Sequence, residues 1–268
     1  MDIKVLGPLE ARHNGRSITP SAHKPRQILA LLALQAGHVV TVPALIEELW
    51  GMQPPRSALT TLQTYILQLR RRIGAALPPD GSDPKDVLVT SYGGYMLDID
   101  PAQVDVQEYE RLVSAGTRAV EVGDEVSGSR LLRSALGLWR GQMLVDVHIG
   151  LRLAVELTRL EESRLGVLEA CIDVDLRLGR HHALLSELAV LTARHPMHEN
   201  LCAQYMIALH RSGRPWRALD VFKNLRSTLV EELGVEPSAR LQQLQRAILN
   251  SEPSLDLPRQ GKGAQLVI

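Results

Sequence analysis

A chain of 268 residues, 45% hydrophobic and 22% charged, has room for two compact units and enough apolar residues for a core in each. Its 30 basic and 30 acidic residues cancel, which excludes a protein that coats nucleic acid or membrane by bulk charge. The 2 cysteines form no CxxC pair, the start MDIKVLG is no secretory leader, and no apolar run approaches membrane length, so a soluble cytoplasmic protein is expected.

In chain order, residues 3–7, 9–13 and 16–18 read as short strands, with Gly7-Pro8 and the stronger hairpin signal Asn14-Gly15 as turns. Ile28, Leu31, Leu32 and Leu34 mark a helix from Lys24 to Gln35 that Gly37 closes. A strand over 39–42 follows, then a short helix from Pro43 to Trp50 with proline in its first turn. The turn Gly51-Met52-Gln53-Pro54-Pro55 leads into RSALTTLQTYILQLRRRI, residues 56–73. There Leu59, Leu62, Ile66, Leu69 and Ile73 form one helical stripe, Ser57 is the expected N-cap and Gly74 the expected stop. A polar loop over 77–85 precedes a hairpin of 87–90 and 95–99, turned at Ser91-Tyr92-Gly93-Gly94.

Strand cluster, three helices and hairpin is the order of a winged helix-turn-helix preceded by a small sheet. Its third helix is the reader and the hairpin its wing. Opposite the apolar stripe the reader shows Ser57, Thr60, Thr61, Thr64, Gln68, Arg71 and Arg72, and no acidic residue occurs anywhere in it. Hydroxyls, an amide and guanidinium groups are what a helix offers base edges and phosphates in a major groove. The helix by itself fits equally a solvated face whose basic end suits its dipole. The surroundings favour DNA: over residues 22–76 the bases Lys24, Arg26, Arg56, Arg70, Arg71 and Arg72 meet only Glu47 and Glu48. Thr60, Thr64, Gln68 and Arg71 are the candidates for base edges, and Arg70 and Arg72 for phosphates. Thr90, Ser91 and Tyr92 on the wing are candidates for backbone or minor-groove contact, and Lys24 and Arg26 at the start of the first helix for the adjacent phosphates. Tyr95 is expected to pack the hairpin on the helices.

From Pro101 onward helix follows helix: one through Tyr109 and Leu112 to Gly123, then 125–139, 151–178, 182–193, 199–212, 215–233 and 238–249. Leu178-Gly179-Arg180 and Ser212-Gly213-Arg214 lie 34 residues apart, each before a helix, a period that fits tetratricopeptide-like pairs. Residues 251–268 read as a flexible tail. For an enzyme there is no constellation: His181-His182 and His195-Pro196-Met197-His198 lack metal-ligand spacing, and GxSxG, HExxH and dinucleotide fingerprints are missing. Aromatic residues at 3% argue against a reader that stacks single-stranded bases.

The segments KPRQILALLAL, ALIEELWG, PPRSALTTLQTYILQLRRRIG and SYGGYML, followed by VDVQEYERLV and LVEELGVEPS, resemble the Streptomyces antibiotic regulatory proteins (SARP family). The resemblance runs from residue 1 to about 250 and is nearest the short members that activate polyketide and anthracycline clusters. It implies a mainly α chain with small β-sheets: an OmpR-like winged helix-turn-helix DNA-binding domain over 1–100, a tetratricopeptide-like all-α bacterial transcriptional activator domain over 101–250, and the tail. It also implies an activator that binds direct repeats near the −35 element and recruits RNA polymerase with its sigma factor. The turn carrying Gly51, Met52, Gln53 and Arg56 would then be the polymerase-contact loop. Longer relatives continue into an ATPase module. Gly261-Lys262 here lacks the earlier glycine of a phosphate loop, the position being Asp256, so no cofactor is expected. One winged helix buries only about 600–1,000 Å² on DNA, which favours a pair of molecules on adjacent sites. The alternative, from another class, is an interaction scaffold whose winged helix and repeats both bind protein.

Overall fold

The computed structural model describes residues 1–78 and 83–255. Residues 79–82 of the expected polar loop and 256–268 of the expected tail, including Asp256, Gly261 and Lys262, lie outside the described residues.

Two compact units emerge. The first takes Met1–Arg118 with Arg130–Val167, and the second takes Ala119–Ser129 with the chain from Leu168 onward. In the first unit β1 (Asp2–Lys4), β2 (Glu10–His13) and β3 (Arg16–Ser17) form an antiparallel sheet in which Ile3 faces Ala11 and Arg12 faces Ser17. Asn14-Gly15 turns the hairpin with φ of 48° and 76°, both left-handed, as a two-residue loop requires. Three helices follow: α1 (His23–Leu34), α2 (Val42–Trp50) and α3 (Ala58–Ala76). Thr41 caps α2, its hydroxyl accepting from Ala44 N at 3.3 Å, and proline sits in the first turn. A short helix α4 (Pro84–Val87) takes the end of the expected loop and Val87, the first residue of the expected strand; it starts at Asp83, whose carboxylate accepts from Lys85 N at 2.9 Å.

The wing consists of β5 (Leu88–Ser91) and β6 (Gly94–Leu97), and β4 (Val40–Thr41) joins β6 on its other edge, giving the order β4-β6-β5. Gly94 lies opposite Thr41, where an added Cβ would overlap the Val40 carbonyl oxygen, so the pairing demands glycine. The winged helix-turn-helix order read from the sequence is therefore the observed one. Two details of α3 differ. Leu59 is 50% exposed, and the buried stripe runs instead through Ala58, Leu62, Ile66, Leu69, Ile73 and Ala76. Gly74 does not end the helix, which continues to Ala76 while Pro84 packs over the bare Gly74.

Carboxylates join later segments to this module, all inside the first unit. Asp105, first residue of α5 (Asp105–Glu121), accepts from Val5 N and Leu6 N at 2.8 and 3.1 Å. After α6 (Glu125–Leu136) the chain runs irregularly, where a helix to Trp139 had been expected. Arg140 N donates to Leu6 O, Leu144 N donates to Gly7 O, and Trp139, Met143, Leu144 and Val147 are buried. Asp146 accepts from Leu9 N at 2.8 Å. The ring of Trp139 meets Tyr109 edge-on at 5.7 Å, with Arg164 over it.

The buried Glu48 of α2 reaches the start of α7 (Leu151–Arg177). Its carboxylate accepts from Gly150 N, Arg152 N and Leu153 N at 2.7, 2.8 and 3.1 Å, and from Gln27 Nε2 at 2.8 Å. These amides are the unpaired donors of a helix N-terminus, and a carboxylate also suits that end of the dipole.

In the second unit α8 (His181–Arg194) and α9 (Glu199–Arg211) form one helix pair, and α10 (Pro215–Leu233) and α11 (Ala239–Leu249) the next. α9 packs against both α8 and α10. The 34-residue echo is a structural repeat. Gly179 and Gly213 have φ of 77° and 73°, and the following Arg180 N and Arg214 N each bond a carbonyl five residues back, Asp175 O and Leu209 O, at 2.9 Å. Arg180 and Ser129 both bond the buried Asp175, at 2.7 Å. Residues 253–255, within the expected tail, form a 3-10 turn whose Leu255 carbonyl accepts from Arg211 Nε at 2.7 Å.

Candidate nucleic-acid interface

The helical period that buries Leu62, Ile66, Leu69 and Ile73 turns the opposite side of α3 outward. At 3.6 residues per turn Thr60 and Arg71 stand directly opposite the buried stripe, and Thr64 and Leu67 lie about 30° to either side. Thr60, Thr64, Gln68, Arg71 and Arg72 are exposed, as are Gln63 and Leu67, and Thr61 is half-buried. Gln63 and Leu67 are not among the residues that polar character opposite the apolar stripe singles out in the sequence. Leu67 carries no polar signal, yet its place on the helical wheel identifies it.

The three consecutive arginines divide by environment. Arg70 is half-buried and turns to the wing, where Nε and Nη2 donate to Leu88 O at 2.9 and 2.6 Å and Nη2 to Thr90 Oγ1 at 2.8 Å. This arginine props β5 against α3, and Thr90 is its partner. Arg72 leans toward the first sheet, with long contacts to Thr19 O at 3.4 Å and Ser21 Oγ at 3.5 Å. Arg71 has no hydrogen-bond or ion-pair partner among the described residues and is the guanidinium free to meet an external acceptor. Thr64 Oγ1 donates to Thr60 O at 3.0 Å, a bond to the helix's own backbone. Ser57 flanks the helix start without a side-chain cap bond. Its hydroxyl lies 3.5 Å from Thr61 Oγ1.

Lys24 and Arg26, read as candidate phosphate contacts, are held inside the fold. Lys24 Nζ donates to Leu49 O at 2.6 Å and lies 4.9 Å from the Trp50 ring centroid, and partial burial lowers its pKa. Arg26 pairs with Asp146 and donates to Leu9 O at 3.3 Å. Sequence spacing conceals both arrangements because Asp146 lies 120 positions from Arg26.

On the wing, Ser91 is half-buried, whereas Tyr92 at the tip is 104% exposed. Tyr95, opposite Thr90 in the hairpin, is buried as expected. Between α2 and α3 the loop residues Gly51, Met52, Gln53 and Arg56 are all exposed, Met52 at 93%. The outward face of α3 is thus exposed and free of carboxylates, and it stands beside a propped hairpin with an aromatic tip.

Comparison with known proteins bears on the whole chain. The family described as "Transcriptional regulatory protein, C terminal" matches residues 17–97, and the "Bacterial transcriptional activator domain" matches residues 104–249. The regulatory protein DnrI of Streptomyces peucetius is 65% identical over 257 residues, covering 96% of this chain and 94% of that protein. The chain belongs to the Streptomyces antibiotic regulatory protein family. The regulatory protein AfsR of Streptomyces coelicolor is 39% identical over 94% of this chain, which spans only 24% of AfsR. A solved structure of Mycobacterium tuberculosis EmbR, in complex with a low-affinity phosphopeptide, superposes with a TM-score of 0.86 at 32% identity. It covers 94% of this chain and 65% of the EmbR chain.

The family character establishes a transcriptional regulator and not an enzyme, with the OmpR-like winged helix and activator-domain helices expected from the sequence. Among the described residues no helix is long and apolar enough to cross a membrane.

Proposed function

We propose that this SARP-family regulator activates an antibiotic or other secondary-metabolite cluster by reading promoter DNA with α3 and the wing. The observation that carries the reading is the outward face of α3, where Thr60, Thr64, Gln68 and the unpartnered Arg71 stand exposed on a helix without a carboxylate. Residues 1–100 supply DNA recognition, 101–250 the activator domain and 251–268 a tail. Ser57, Thr61 and Arg72 border the contact surface, and Ser91 and Tyr92 meet the backbone beside it. Arg70 and Thr90 act by holding the wing, and Lys24 and Arg26 by holding the fold. Similarity to DnrI supports an antibiotic cluster as the target.

In this reading the site is a direct repeat near the −35 element, occupied by two molecules, and the exposed Gly51–Arg56 loop meets RNA polymerase at its sigma factor, in the cytoplasm. The small footprint of one winged helix supports paired occupancy, since a second bound copy raises affinity without new contacts. The test is binding of the purified protein to promoter fragments from its own gene neighbourhood, with scrambled duplex as control, across a salt series. Selective binding that falls steeply with salt, with a footprint over paired repeats, is expected. Equal weak binding to both duplexes would favour the scaffold alternative.

A further inference from the structure

Hydrogen bonding to bases and phosphates leaves one residue in the middle of the α3 face without a role. Leu67 is 49% exposed and lies within a turn of Thr64 on one side and Arg71 on the other. A leucine held in water on a rigid helix forgoes the stabilisation that burial would give it. Its neighbours Gln63, Gln68 and Arg71 are all exposed, and among the described residues about half of the leucine's surface stays open. Next to it the Thr64 hydroxyl spends its proton on Thr60 O, which leaves its oxygen as an acceptor and its methyl as an apolar group to offer a base edge.

The charge around Leu67 selects the occupant. Arg71 and Arg72 are exposed in the turns that follow, Arg56 is exposed just before the helix, and α3 holds no acid, which suits a polyanion and disfavours a purely apolar protein surface. In a duplex major groove the apolar feature on a base edge is the 5-methyl group of thymine. We propose that Leu67, with the Thr64 methyl beside it, selects thymine in the operator by apolar contact with that methyl group. The inference rests on α3 being the reader.

Removing only the methyl tests it. A preferred duplex is first selected by the full chain from a random pool, and each thymine is then replaced singly by deoxyuridine. Wild type should bind about three- to fivefold more weakly at one or two substituted positions, the effect of one buried methyl. Leu67→Ala should lose a similar factor on the thymine duplex and bind the thymine and uracil forms equally, while Leu67→Met keeps the preference. Wild-type affinity unchanged by every uracil substitution would overturn the proposal and leave α3 as reader, provided Arg71→Ala still weakens binding. If no duplex is selected, or Arg71→Ala binds as wild type, the reader assignment falls and the thymine contact falls with it. A change of oligomeric mass in Leu67→Ala, with thymine discrimination intact, would assign the leucine to a contact between copies and overturn the proposal.

Discussion

The Glu48 carboxylate receives the backbone N–H of Gly150 at 2.7 Å, so the second helix of the winged module caps a helix that begins 102 residues later. Two further amides of that helix, at Arg152 and Leu153, bind the same buried group, and Gln27 orients it. Replacing Glu48 by alanine takes the acceptor from three amide donors, of which that of Leu153 is buried and the other two partly so, and about 2 kcal/mol of stability should be lost. Glu48→Gln should recover part of this, because one oxygen still accepts. Urea unfolding of the three proteins measures the order; equal stabilities would mean that water replaces the carboxylate.

Arg70 and Arg71, adjacent in sequence, should separate in experiment. Arg71→Ala should leave the thermal midpoint unchanged and weaken binding to the selected duplex roughly ten- to a hundredfold if the guanidinium spans a base edge. If it meets phosphate instead, the loss should be uniform across sequences and the salt slope shallower by about 1. Arg70→Ala should cost about 1 kcal/mol of stability through the lost bonds to Leu88 O and Thr90, and reach DNA only through a loosened wing. Melting curves and binding titrations of both variants separate the two outcomes.

That division marks the limit of what the sequence conveys. The acid-free face, the hairpin and the repeat period rest on local pattern, and periodicity reports local pattern well. Leu59 was misassigned because either Leu59 or Ala58 continues the apolar stripe through the first turn, and only packing chooses Ala58. Gly74 looked like a stop because glycine often ends helices, yet here its missing side chain admits Pro84. The roles of Lys24, Arg26 and Glu48 were illegible for a common reason: each partner carbonyl, carboxylate or amide is distant in the chain and contributes no periodicity of its own.

Gly94 carries a steric prediction. Alanine there places a carbon on the Val40 carbonyl oxygen and should break the β4–β6 pairing. The expected cost is about 1–3 kcal/mol, with the wing more mobile than in the wild type. Hydrogen exchange at the wing amides, compared between the two proteins, checks it; unchanged protection would show that the sheet yields to the added carbon.

Asp105 carries a pH prediction. Burial pushes its carboxyl above the ordinary range, despite the amides of Val5 and Leu6 and the Arg140 guanidinium, which act in the opposite direction. The folded state therefore holds this proton more tightly than the unfolded chain does. Its contribution to stability is full below the unfolded pKa and lost as pH rises through the folded one. The difference in stability between wild type and Asp105→Asn should shrink as pH rises from about 4 toward neutrality. Denaturant midpoints at several pH values test the sign, and a difference that grows with pH would mean that the amide bonds outweigh burial.

The two cysteines offer a probe of opening in the second unit. Cys171 and Cys202 are buried, and burial pushes the Cys202 thiol up to about 12. Neither should react with a thiol reagent at pH 8 in the folded protein, and both should react in guanidinium. Rapid labelling of Cys202 in the native chain would reveal opening around α9, and of Cys171 opening around α7.

The caps supplied by Glu48, Asp105 and Asp146 also bear on how such regulators can be recombined. A chimaera joined at residue 100 would separate Glu48 from Gly150, Asp105 from Val5 and Leu6, and Asp146 from Arg26. Transplanting the sheet, helices and wing thus leaves three joints to be remade with the acceptor chain unless the graft extends through Leu153. Exchanging the outward residues of α3, at 60, 64, 67, 68 and 71, disturbs none of them. With α3 as the proposed reader, point changes on its one outward face are expected to shift operator preference with less disturbance to the fold than shuffling the winged module as a cassette.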